Sequence, residues 1–325
     1  MLTGYTCDGT TLQRHNEPSD AVLRDAVWVD LLSATEDERQ RVAAATGLHI
    51  PTEAELSEIE SSSRLSVADG VLTLSMPLVS RLDGEPRPVP GGFVLSRERL
   101  INIRFAASRV FDTFAEREMQ AGSPDRTGAH IFVGLLEAIV DRHADALEEI
   151  RNDLDAISHR IFRDGIDAGG GKREDRLLRE TLASIGRTGD VISFIRDSQV
   201  GAARIVPYVL STAADWLPQD LKPRLDTLRQ DVASLNDFDT HLNDKVQFLL
   251  DATLGFINIA QNNVMKVLTV ASVVGIPPVL VAGIYGMNFK SMPEYDWSWG
   301  YAYGLALIVV TGLVPLAIFR WRNWI

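Results

Sequence analysis

Asp251, Gly255, Asn258, Asn262, Met265, Thr269, Ser272, Ile276, Val279 and Gly283 follow one another in alternating steps of four and three. On a helix that seven-residue period keeps them on one face. The side chains change in order along it, from acid to amide to thioether to hydroxyl and then to small apolar groups. Such a row makes and breaks no bonds. Its chemistry is that of a lining, and where it enters a membrane span it faces protein or water rather than lipid.

The rest of the chain offers little for catalysis. Cys7 is the single cysteine, so an internal disulfide framework and a cysteine-rich metal cluster are excluded. The six histidines and Cys7 form no metal-ligand spacing, and GGGK (169–172) lacks the spacing of a phosphate-binding loop. His143 reads as a helix-surface residue. The net charge of −12 argues against a nucleic-acid partner, and an acidic protein raises the local concentration of cations.

The elements that must position the stripe are legible in outline. From residue 1 to 125, β-like runs alternate with turns: VWVDL (27–31), VLTLSMPLV (71–79), GFVLS (92–96) and RLINIRF (99–105). DGEPRPVPGG (83–92) reads as a loop, and TEDERQRVAAATG (35–47) as a helix. This is a compact α+β domain. Residues 126–216 follow as a helical region, with runs at 130–162 and 175–198 on either side of a Gly-rich break, DAGGGKRED (167–175). LPQD (217–220) caps a third helix, Pro218 lying near its first turn. Residues 217–289 then read as one stalk helix of roughly 100 Å at 1.5 Å per residue. Its other face, Leu228, Val232, Leu235, Leu242, Val246, Leu249 and Phe256, is apolar.

Val267–Phe289 and Tyr301–Phe319 carry no charge over 23 and 19 residues, close to the ~20 needed to cross a bilayer. Lys266, Arg320 and Arg322 flank them, and Trp297, Trp299, Tyr301, Trp321 and Trp324 sit where aromatic side chains meet a membrane interface. The basic flanks place both termini in the cytoplasm and the linking loop 290–300, with Lys290, Glu294 and Asp296, on the other side. The N-terminus has no apolar signal-peptide core, which argues against export of the first domain. One hairpin cannot enclose a channel; several copies, each giving its first span, can.

Between the spans stands Tyr285-Gly286-Met287-Asn288, followed by MPE at 292–294, WSWGY at 297–301 and the tail RWRNWI at 320–325. With NNVMKVLTVASVVGIPPVLVAGIYGMNF (262–289) before it, this resembles the CorA magnesium transporters, most strongly over 245–325. The resemblance implies a homopentameric funnel with a cytosolic α+β domain, long helices and a two-helix transmembrane hairpin in a bacterial inner (plasma) membrane. It implies that Gly286, Met287 and Asn288 form an entrance that captures a hydrated divalent cation, Mg²⁺ first, with Co²⁺ and Ni²⁺ as surrogates. Glu294 would attract cations to that mouth. Met265 and Leu268 would form a hydrophobic gate, Asn262 an amide ring below it and Asp251 an acidic ring deeper in the funnel. Asn258, Thr269, Ser272, Ile276, Val279 and Gly283 would line the remaining path, and Pro277-Pro278 would kink or loosen the span. Regulatory Mg²⁺ would bind between cytosolic domains, with Asp226 and Asp231 as candidate ligands, and no catalytic cofactor is implied. The alternatives are transport of zinc, as in the related ZntB proteins, and an enzyme or scaffold merely anchored by the hairpin.

Overall fold

A computed structural model describes residues 1–325 except 9–10, 59, 61–63, 83, 121–125, 165–171, 289–291, 323 and 325, and no side chain at 164, 172–175 or 295. Most of the Gly-rich break, and Lys290 in the loop, lie outside the described residues. The chain divides into two compact units. One comprises Met1–Ser158 with Ala183–Leu249, the other His159–Leu182 with Leu250–Ile325.

The first unit is built on a seven-stranded sheet. Its strands are β1 (Leu2–Asp8), β2 (Thr11–Asn16), β3 (Trp28–Leu32), β4 (Leu65–Ala68), β5 (Val71–Leu82), β6 (Glu85–Leu95) and β7 (Leu100–Arg104). They lie in the order β2-β1-β3-β7-β6-β5-β4, with only the β3–β7 pair parallel. Side chains alternate across the sheet, so each strand feeds two cores. Leu2, Val29, Leu31, Ile101 and Ile103 pack under the short helices α1 (Asp20–Asp25), α2 (Glu36–Thr46) and α3 (Glu53–Leu56). Trp28, Leu74, Met76, Phe93 and Leu100 pack on the other face, against α4 (Arg109–Gln120), α5 (Gly128–His159), α6 (Lys172–Thr212) and the start of α7 (Leu221–Tyr285). Each such fully buried side chain contributes about 1.5–3 kcal/mol.

On that second face Asp30 alternates in phase with Trp28, and Asn102 and Arg104 with Leu100. The buried carboxylate of Asp30 accepts from Arg104 at Nε (3.0 Å) and Nη2 (2.7 Å) and from Asn102 Nδ2 (2.6 Å). The charges are therefore paired and hydrogen-bonded, which is what makes their burial tolerable.

Strand β6 overturns the loop reading over 85–92, though Gly84 is in a turn and residue 83 lies outside the described residues, and the strand's prolines show why. Pro86, Pro88 and Pro90 face Arg81, Val79 and Pro77 of β5. Pro77 opposite Pro90 can exchange no N–H bond, so this pair fixes the non-hydrogen-bonded register, and the two-residue period puts the other prolines in it too. Strand β7 pairs only from Gly91 onwards, so the missing donors fall where β6 is an outer edge.

The long helices also differ from expectation. Helix α6 continues past 198 to Thr212, through Pro207, because its apolar face continues as Ala202, Ile205, Val206 and Val209. His143 on α5 is buried, not on the surface, at 4% exposure. Helix α7 runs unbroken for 65 residues, with Pro277 and Pro278 inside it. The second unit ends with a 3₁₀ turn (Pro293–Asp296) and α8 (Gly300–Trp321).

Candidate functional site

The stripe occupies one face of α7, and most of it is exposed in the chain. Asp251, Asn258, Asn262, Met265, Leu268, Thr269, Ile276, Val279 and Gly283 are exposed, Val279 to 72%, whereas Ser272 is half-buried. The neighbouring span leaves the stripe open because it packs elsewhere. A Cβ built on Gly312 of α8 would lie 3.2 Å from Pro278 Cγ and 3.8 Å from the carbonyl oxygen of Val274. Val274 and Pro278 follow Ser272 and Ile276 by two positions, about 200° around a helix with 3.6 residues per turn. The two helices meet through the side of α7 opposite the stripe.

At the base of the span the Thr269 hydroxyl donates to the carbonyl oxygen of Met265 (2.8 Å). That bond satisfies the hydroxyl hydrogen and leaves oxygen lone pairs for an external donor such as water. Met265 and Leu268 are 59% exposed beside it.

Helix α7 ends at the proposed mouth. The Gly286 N–H donates to Ala282 O (2.9 Å) and the Met287 N–H to Ile284 O (3.2 Å), a tightened last turn that uses up terminal carbonyls. A Cβ on Gly286 would stand 3.2 Å from Ala282 O, so glycine suits the close turn. Met287 and Asn288 follow outside the helix, both exposed.

Glu294 is held through its backbone. It sits in the 3₁₀ turn, where its carbonyl accepts from Trp297 N–H (3.3 Å). At Gly300 a Cβ would meet Glu294 O at 2.0 Å, so only glycine admits this approach of loop to α8. Trp299, Tyr301 and Trp321 are exposed at the two ends of α8, where interface anchors belong.

Asp226 and Asp231 belong to the part of α7 in the first unit. Asp226 pairs with Arg229 (3.3 Å). Asp231 contributes to the field at Asp141 of α5, whose carboxyl is held above its ordinary range by burial and by Glu137, Asp145 and Asp231. Among the described residues no group of three or more His, Cys, Asp or Glu side chains is arranged to hold a metal. The seven-residue apolar period of α7 also marks Asp239, between Leu235 and Leu242, where an acid interrupts the apolar face.

Helices α7 and α8 are both long and apolar enough to cross a membrane. Residues 24–321 match the family model described as CorA-like Mg²⁺ transporter protein. The magnesium transport protein CorA of Sodalis glossinidius is 32% identical, with both chains covered completely. The chain belongs to the CorA-like Mg²⁺ transporter family. Its fold is similar to that of the complete CorA magnesium transporter from Methanocaldococcus jannaschii, with a TM-score of 0.76 at 16% identity over 100% of this chain and 99% of that one. It is also similar to the full-length CmaX protein, at a TM-score of 0.70 and 18% identity over 99% of this chain and 97% of that one. The CorA relatives are named as transport proteins rather than enzymes.

Proposed function

We propose that this protein carries Mg²⁺ into the cell through a homopentameric pore in the bacterial inner membrane, with both termini in the cytoplasm. The observation that carries the reading is the direction of the stripe. The amides of Asn258 and Asn262 lead into the hydroxyls of Thr269 and Ser272 and then to Ile276, Val279 and Gly283, on the side of α7 away from its contact with Gly312 of α8. In lipid such a face needs water or protein against it. Five copies around an axis supply both.

The residues divide the work. Mg²⁺ sheds its inner waters reluctantly and keeps octahedral oxygen ligation. A ring of exposed Asn288 carbonyl oxygens accepts hydrogen bonds from those waters without stripping them, beside Gly286 and Met287. A carboxylate ring would bind more tightly and slow release. Glu294 raises the cation concentration at the mouth. Thr269, Ser272, Ile276, Val279 and Gly283 line the path. Met265 and Leu268 close it by dewetting, and Asn262, Asn258 and Asp251 receive the ion below. Mg²⁺ bound in the cytosolic part favours the closed arrangement by mass action, with Asp226 and Asp231 among its ligands. Co²⁺ and Ni²⁺ are surrogates.

Asn288→Ala tests the mouth. Purified protein in liposomes should lose most of its Mg²⁺ uptake, with pentamer formation unchanged because the residue is exposed and outside the helix. Uptake near the parent rate from an intact assembly would remove Asn288 from the filter. Faster flux of Zn²⁺ than of Mg²⁺ through the parent protein would favour zinc as cargo.

A further inference from the structure

The three long helices of the first unit each bury a polar side chain in an otherwise apolar seam. On α5 the seam runs Ile139, His143, Leu147, Ile150, Leu154, with His143 inside it. On α6 Gln199 stands between Ile195 and Ala202, beside Ser198, and both are fully buried. On α7 Asp239 stands between Leu235 and Leu242, at 0% exposure. Among the described residues no hydrogen-bond partner reaches either Asp239 carboxylate oxygen, either polar atom of the Gln199 amide, Ser198 Oγ or His143 Nδ1. A buried carboxylate with both oxygens unpartnered is costly when ionised and tolerable when protonated.

The charges that face Asp239 are few. Helices α6 and α7 run antiparallel: a Cβ on Gly189 would lie 3.5 Å from Val246 Cγ1, and seven residues along each helix from that contact stand Arg196 and Asp239. Arg196 is exposed, and its charge is felt at Asp239 without an ion pair. The α5–α7 ion pairs Glu137–Arg224 and Asp155–Lys245 set those two helices parallel. Asp239 therefore lies level with Ile150 of α5, a buried apolar residue, and about two turns from His143, which burial keeps neutral by pushing its pKa down to about 4. The nearest α5–α7 ion pair is Lys245 with Asp155, at 2.6 Å. On α7 itself the seam neighbours Leu235 and Leu242 carry no charge.

We infer that Asp239 is a proton-sensitive joint in the α5–α6–α7 packing, closed when its carboxyl is protonated and loosened when it is ionised. Loosening admits water, or the Arg196 guanidinium from α6, to the orphaned oxygens. The joint lies about three turns before Asp251 on the same helix, yet the inference stands on packing alone and needs no transport activity. Burial pushes the Asp239 pKa up to about 6, against a smaller lowering by Arg196. Because the folded value lies above the unfolded one, the folded chain holds a proton that the unfolded chain has released. The cost of ionisation is absent below pH ~4, grows through pH 4–6 and is complete above about 6.

Thermal unfolding of the full chain in detergent, at pH 5.0 and 7.5, tests this in the parent, Asp239→Asn and Asp239→Leu. On acidification the parent should gain about 2–4 °C more than either variant, and both variants should melt above the parent at pH 7.5. The leucine continues the seam and keeps the test decisive if the amide fails to fold. Parallel pH profiles in parent and variants would overturn the inference. So would variants that melt below the parent at pH 7.5, because the ionised carboxylate would then be stabilising.

Discussion

Met265 and Leu268 are exposed on α7, and in the proposed pore they are covered by the same residues of neighbouring copies. A ring of such side chains excludes water at little cost, because thioether and isobutyl groups offer a chain of waters no partners. Removing them reverses that. Met265→Ala, alone or with Leu268→Ala, should raise Mg²⁺ leak from liposomes when internal Mg²⁺ is high, measured with an entrapped indicator. Lower flux than the parent from a pentameric variant would show that these residues do not close the path. The neighbouring Thr269 hydroxyl is tied back to Met265 O, so its oxygen is held in place beside Met265. At this scale the sequence was most legible where a residue's type and its phase agreed. His143 shows the opposite case. A histidine between charged neighbours reads as surface, and only the seam running from Ile139 to Leu154 reveals that it points inward.

Helix α7 was legible because one period runs through it twice, once as the apolar seam that packs in the first unit and once as the stripe. The apolar character of α8 followed from length and composition, and the single helix expected over 217–289 is found as Leu221–Tyr285, running on through Pro277-Pro278, where a kink or loosening was expected. Strand β6 was not legible, since Pro86, Pro88 and Pro90 look like a loop until the partner strand shows that their missing donors face outward. Strands β1 and β2 were passed over because their alternation is interrupted by polar residues such as Thr3, which is buried. The contact between α7 and α8 was invisible as well: Gly312 has no periodic partner in sequence. Gly312→Leu should force the helices apart where a Cβ already stands 3.2 Å from Pro278. Overpacking of this kind costs about 1–3 kcal/mol, read as a lower melting temperature in detergent. Gly304→Ala, with nothing within 4 Å of its Cβ, serves as the control and should leave it unchanged. Equal stability of the two variants would mean that the span contact lies elsewhere.

For the whole molecule, a unit with a mixed sheet and long helices continues through α7 into two apolar helices, the first of which leaves most of the 258–283 stripe exposed. If the stripe lines a pore, that face meets water. Because Cys7 is the single cysteine, a Cys7→Ser background permits one new thiol at a time. Thr269→Cys and Val279→Cys place it on the stripe, and Val274→Cys places it on the face toward α8. The measurement is Mg²⁺ uptake by liposomes holding each variant, before and after a membrane-impermeant, positively charged thiol reagent. Uptake should be blocked at positions 269 and 279 and unaffected at 274. Block at 274 with sparing of both stripe positions, or a parent protein that takes up no Mg²⁺, would contradict the pore lining.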